Sequence, residues 1–119
     1  MSEDSDTDTD LSTVLSVLDD EYAREILTHT SVEPMSASTL SDRCDASLPT
    51  IYRRLDRLEE CRLVTEETEL APDGNHYSIY SANLDRLELS LEDGSFDLEV
   101  SYNEEDVADK FTRMWEGMR

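Results

Sequence analysis

A chain of 119 residues has room for one compact core with appendages. It carries 30 acidic residues against 10 basic ones, a formal net charge of −20 and a pI near 4.1, and Lys110 is its one lysine. No run of about 18 apolar residues is present, which excludes a helical membrane span. The first residues are acidic and polar, the opposite of a secretory leader. Two cysteines, Cys44 and Cys61, are too few for a disulfide framework and fit a reduced, cytoplasmic setting.

Residues 1–10, with five carboxylates and no base, read as a disordered acidic tail. Leu11, Val14, Leu15 and Leu18 then recur at helical spacing, as do Tyr22, Ala23, Ile26 and Leu27. These predict a helix at about 11–18 and a second at about 20–30, broken around Asp19-Asp20. Val32 to Met35 is a connector, because Pro34 disfavours helix just before it. Ser36 or Ser38 caps a third helix that runs to about Cys44 with Leu40 facing inward. Asp45-Ala46-Ser47 is a tight turn. Ser47 then caps a helix at about 48–62 that has Pro49 in its first turn, where a missing N–H matters least.

In that fourth helix Leu48, Ile51, Leu55 and Leu58 form one stripe. Pro49, Thr50, Arg53, Asp56, Arg57 and Glu60 lie opposite, with Arg54 on the flank. Leu63 to about Leu70 reads as extended, Ala71 to Asn75 as a turn, and His76 to Tyr80 as a returning strand. Helix, helix, turn, helix, hairpin is the order of a winged helix-turn-helix. Next, Leu87, Leu89 and Leu91 alternate with polar residues up to Asp93-Gly94, and Phe96, Leu98, Val100 and Tyr102 alternate beyond it, which predicts a second hairpin. Val107, Phe111, Met114, Trp115 and Met118 form a last helical stripe. The expected fold is mainly α with a β-wing: a winged helix-turn-helix at 11–81, then a β-hairpin and a C-terminal dimerisation helix at 82–119.

The acidic excess is unevenly spread. Residues 47–62 hold Arg53, Arg54, Arg57 and Arg62 against Asp56, Glu59 and Glu60, a balance of +1, whereas residues 63–119 stand at −11. Arginine suits both bidentate reading of guanine and phosphate contact, so a DNA-reading helix is expected here. The plainer alternative is that these arginines pair with the carboxylates of their own helix. Ser47, Thr50 and Tyr52 are candidate contacts beside them, each with an ordinary capping or packing role as the alternative. Asn75 and His76, at the tip of the wing, are further candidates.

The run from Ser47 to Glu60, followed by Leu63-Val64, resembles the recognition helix and first wing strand of archaeal winged-helix regulators. Asp20 to Leu27 resembles the first helix of ArsR-like haloarchaeal proteins, some of which serve the oxidative-stress response. The resemblance spans about 11–81 and implies a homodimer on a pseudo-palindromic operator, with Ser47, Thr50, Arg53 and Arg54 at the usual reader positions. The paired cysteines of the metal-sensing members are absent, since only Cys44 precedes the recognition helix. No metal site is therefore expected by that route.

The expected function is a dimeric, sequence-specific transcription regulator on double-stranded DNA, adapted to high salt. The alternative is a winged-helix protein-interaction module without specific DNA binding. The dimer interface is expected at Leu11, Val14, Leu15 and Leu18 together with Val107, Phe111, Met114, Trp115 and Met118. No catalytic centre or organic cofactor is expected, because His29 and His76 stand alone and no phosphate-cradling glycine loop occurs. With so few bases to displace counterions, monovalent cations such as K+ are expected to be retained between phosphates and Asp45, Asp56, Glu60 or Asp73. A redox switch at Cys44 and Cys61 is disfavoured, as no basic neighbour is evident to lower either thiol pKa.

Overall fold

A computed structural model describes residues 10–103. The chain divides into two units, Met1–Ala82 and Asn83–Arg119. The first holds helices α1 (Leu11–Leu18), α2 (Glu21–Val32), α3 (Ala37–Cys44) and α4 (Leu48–Glu60), then strands β1 (Val64–Leu70) and β2 (His76–Ala82). The second holds β3 (Leu84–Glu92) and β4 (Ser95–Tyr102). Four helices followed by an antiparallel β1–β2 wing and a separate antiparallel β3–β4 hairpin make a winged helix-turn-helix with an added hairpin. The expected C-terminal helix, with Val107, Phe111, Met114, Trp115 and Met118, lies outside the described residues, as does nearly all of the acidic tail.

Each helix of the tri-helical core starts where a short polar side chain satisfies an otherwise orphaned backbone N–H. Asp20 accepts from the Ala23 N–H, Ser36 from Thr39 and Ser47 from Thr50. Between α3 and α4, Asp45 takes the left-handed conformation at φ 54°, one that a short polar residue tolerates. Ser41 Oγ donates to the Ala46 carbonyl across the same turn. The core is made by Ile26 of α2, Leu40 of α3, and Ile51, Leu55 and Leu58 of α4, joined by Leu63 and Val64 as the chain enters the wing.

Three expectations need correction. Leu48, placed in the inward stripe of α4, is 42% exposed, because its position in the first turn precedes the packed stretch. In α1 the buried pair is Val14 and Val17, while Leu15 is exposed and Leu11 and Leu18 are half-buried. Val14 thus belongs to the domain's own core and is not on offer to a second chain. The segment after α2 is also more than a connector. α2 runs on through Val32, and Met35 then exchanges two backbone hydrogen bonds with Tyr80, at 3.0 and 2.8 Å, which adds a bridge to the wing sheet.

In the second unit, Glu92 and Ser95 are paired across a two-residue turn of Asp93 (φ 54°) and Gly94 (φ 77°). Positive φ at both central residues gives the twist that a tight hairpin needs. Truncation of a core side chain should show how far the first unit depends on this packing. Leu55→Ala, at a site 1% exposed, is expected to lower unfolding free energy by about 2–5 kcal/mol in a denaturant titration.

Candidate nucleic-acid interface

Burial of Ile51, Leu55 and Leu58 leaves the opposite side of α4 to solvent. Pro49, Tyr52, Arg53, Asp56, Arg57 and Glu60 are exposed there, and Thr50 is half-buried. At the helix start Ser47 Oγ accepts from Thr50 N–H at 3.3 Å and donates to Thr50 Oγ1 at 3.0 Å, so both hydroxyls are already engaged in capping. Among the described residues Arg53 makes no hydrogen bond or ion pair. Arg57 Nη2 donates to Ser16 Oγ of α1 at 3.2 Å, an exposed contact that leaves most of the guanidinium facing water. Among the described residues, neither of these arginines is tied to Asp56, Glu59 or Glu60.

Arg54 stands apart from the reader role expected of it. Its Nε donates to Asp20 Oδ2 at 2.8 Å and its Nη2 to Asp20 Oδ1 at 3.0 Å, a bidentate fork between α4 and the N-cap of α2. The guanidinium also lies 5.6 Å from the centre of the Tyr22 ring, within range of a cation–π contact. Arg54 therefore positions α4, and the same Asp20 carboxylate receives the Ala23 N–H at 2.8 Å. The Arg54 hydrogen bonds hold the Asp20 carboxyl below the usual carboxylate range, against the opposing pull of partial burial. Asp20 and Tyr22 are site-building residues that the sequence reading missed. The N-cap role of an Asp before a helix was legible, but a partner 34 residues further on was not.

A second flank of α4 is acidic. Partial burial and the neighbouring Glu66 and Asp56 raise the Glu59 carboxyl above its ordinary value. Beside them the buried Tyr80 hydroxyl is pushed up to about 12, by burial first and then by Glu66, Glu59, Tyr52 and Asp56. Ser78 of β2 donates to Glu66 of β1 at 2.5 Å. The exposed surface of α4 is thus not uniformly basic, and its arginines run alongside a ridge of carboxylates.

The wing tip is held by its own side chains. Asn75 N–H and Nδ2 donate to the two oxygens of Asp73, at 3.0 and 3.1 Å, and Ala71 N–H donates to the Asn75 carbonyl at 2.7 Å. Gly74, at φ +90° with open space around it, supplies the left-handed step. Asn75 and His76 are both exposed, His76 opposite Leu70 at the start of β2. Cys44 and Cys61 are buried and not joined in a disulfide. Burial and the neighbouring Glu25 push the Cys44 thiol up to about 11, so it is a poor nucleophile near neutral pH.

The Asp20–Arg54 fork makes a pH-dependent contribution whose sign is fixed. A carboxylate with a lowered folded-state pKa adds stability above its unfolded value, near 3.9, and loses it as pH falls through the folded value. Asp20→Asn should therefore destabilise by about 1 kcal/mol at pH 7, and Asp20→Ala by about 1 kcal/mol more because it also removes the cap. In urea melts the gap between wild type and Asp20→Asn should close as pH falls from neutral through the lowered folded-state value of Asp20. Glu59, shifted the other way, works in the opposite sense.

No helix among the described residues is long and apolar enough to cross a membrane. No curated protein matches the chain. Residues 18–67, from the last residue of α1 to the fourth residue of β1, match the family model of a helix-turn-helix domain.

Proposed function

We propose that this chain is a dimeric, sequence-specific DNA-binding transcription regulator that works in concentrated salt. The observation that carries this reading is the exposed side of α4, where Arg53 and Arg57 face solvent in a chain of net charge −20. Helix α4 enters the major groove, as the second helix of a helix-turn-helix does. Arg53 and Arg57 contact base edges or phosphates, with Thr50, Tyr52, Ser47 and Pro49 alongside. Asn75 and His76 on the wing reach the neighbouring backbone. Arg54 orients the helix and is not itself a reader. The match of residues 18–67 to a helix-turn-helix domain supports the same reading.

A homodimer would place two such helices on half-sites about one helical turn apart. The lysine-poor acidic surface supports a haloarchaeal, cytoplasmic setting, and the resemblance noted above supports a part in the oxidative-stress response. Carboxylates beside the reading arginines set the salt response. At molar salt the Debye length falls to about 3 Å, so their repulsion from phosphate is short-ranged. Potassium ions held between Asp56 or Glu60 and the phosphates would offset the rest.

The test is selection from a random duplex library in about 2 M KCl, followed by titration of the selected duplex. Arg53→Ala and Arg57→Ala should each weaken binding by about 5- to 100-fold, while helical content is unchanged. Affinity should stay level or rise between about 0.5 and about 3 M KCl. Failure to enrich any sequence, or two variants that bind like wild type, would refute the DNA reading. A steep ordinary loss with salt would refute cation uptake alone.

A further inference from the structure

Helix α4 packs against the first strand of the wing along a seam of carboxylates. Tyr52, Asp56 and Glu59 stand four and three residues apart and so share one side of α4. Facing them, Glu66 of β1 is paired with Tyr80 of β2, and Ser78 precedes Tyr80 by two residues, which puts all three side chains on one side of the sheet. Ser78 Oγ donates to Glu66 Oε2. The Glu59 and Glu66 carboxyls are within hydrogen-bonding reach of each other, and among the described residues neither is in an ion pair. Apart from burial, what acts on Glu59 is Glu66 and Asp56, both acids. Tyr80 is 5% exposed, and its hydroxyl makes no hydrogen bond among the described residues. After burial, the strongest influences on that hydroxyl are Glu66 and Glu59, so it is directed into the same seam.

We propose that this seam binds one monovalent alkali cation, held by the Glu59 and Glu66 carboxylates with the Tyr80 hydroxyl and Ser78 Oγ as neutral oxygen ligands. Two carboxyls this close need a positive charge between them, either a proton or a metal ion. In salt at about 2 M and neutral pH, the metal ion is roughly 10⁷-fold the more abundant. A buried phenol without a partner is costly, and a cation uses the oxygen lone pairs that are otherwise idle. The ligand set also selects the ion. A divalent cation takes six or more oxygens, several of them carboxylate, and no three Asp, Glu, His or Cys side chains among the described residues gather to hold one.

Glu66 is exposed and Glu59 half-buried, so the ion keeps part of its water and is held weakly, as suits a site filled from concentrated salt. Its effect is to fasten the wing to α4. The Tyr80 backbone already exchanges two hydrogen bonds with Met35, so the ion joins α4, the wing and the segment after α2 at one point. Without a cation the two ionised carboxylates push β1 and α4 apart. The inference borrows the concentrated-salt setting proposed above, but it involves no phosphate and does not depend on DNA binding.

The test compares thermal unfolding of the full chain, near neutral pH, in about 2 M KCl and about 2 M choline chloride, which screen charge equally while choline is too bulky for the seam. A site half-filled at about 0.1 M K+ favours the folded state about 20-fold at about 2 M, which raises the melting temperature by about 5–15 °C. Glu59→Gln and Glu66→Gln should each lose most of that gap, and Tyr80→Phe, which keeps the buried ring, part of it. Glu67→Gln removes a carboxylate from the other side of β1 and should keep the gap whole. In choline chloride Glu59→Gln should melt above wild type, because it relieves repulsion. Crystals grown in RbCl should show an anomalous peak between Glu59 and Glu66. A gap that the three Gln variants retain equally overturns the proposal, and makes the salt response a property of the whole acidic surface. So does a Glu59→Gln chain that matches wild type in both salts and diverges from it only with pH, which would put a proton in the seam. Absence of rubidium at the pair overturns it as well. No duplex enters any of these measurements, so the duplex-selection result stands or falls on its own.

Discussion

One carboxylate organises the reading surface. Asp20 terminates the orphaned N–H groups at the start of α2, where the helix dipole favours a negative charge, and it also receives the fork of Arg54 from the middle of α4. A guanidinium held through two nitrogens has little freedom to rotate, so the bond sets the roll of α4 as well as its distance from α2. Roll matters because residues on a helix are spaced about 100° apart. Once Arg54 is directed at Asp20, Arg53 is directed about 100° and Arg57 about 60° away from it, both to the same side. One of the basic residues of α4 is thus committed to aiming two more.

That commitment is informative in a chain with only ten basic residues. Lysine in place of Arg54 would keep the charge but lose the two-nitrogen fork on Asp20, so arginine is the residue the geometry demands. The carboxylates on the other flank of α4 show the opposite tendency. Burial first, and then the neighbouring Glu66, raise the Glu59 carboxyl above its ordinary value, and the same two acids help push up the buried Tyr80 hydroxyl. The exposed surface of α4 therefore carries both signs of charge, basic at Arg53 and Arg57 and acidic at Asp56 and Glu60.

Much of the fold was legible in the sequence because its signals are local. Ser36 and Ser47 announced helix starts, Asp93-Gly94 announced a hairpin, and alternation in 87–91 and 96–102 fixed which side of that hairpin is apolar. The errors fall where a local pattern admits two answers that only packing decides. In α1, leucines at 11, 15 and 18 make as good a stripe as valines at 14 and 17, and the domain buries the valines. Leu48 has the right phase for the core but sits a turn too early. The Met35–Tyr80 bridge and the Asp20–Arg54 fork join residues 45 and 34 positions apart, and no periodicity encodes such contacts. Within the candidate site, residue types and their exposure were therefore readable, but which arginine is tied to Asp20 and which are left exposed was not.

A reading surface with two available arginines and a flank of acid has little electrostatic affinity of its own. Sequence-independent attraction grows with the number of phosphates neutralised, and here that number is small. Discrimination must then come from a few well-aimed contacts, each worth about 1–3 kcal/mol, and one copy of α4 cannot supply many. Pairing two copies changes the arithmetic without adding bases. In the proposed dimer the second helix would find its half-site at the effective concentration set by the first, so that modest contacts multiply in place of strong ones. An α4 held through both nitrogens of the Arg54 fork is what such well-aimed contacts require.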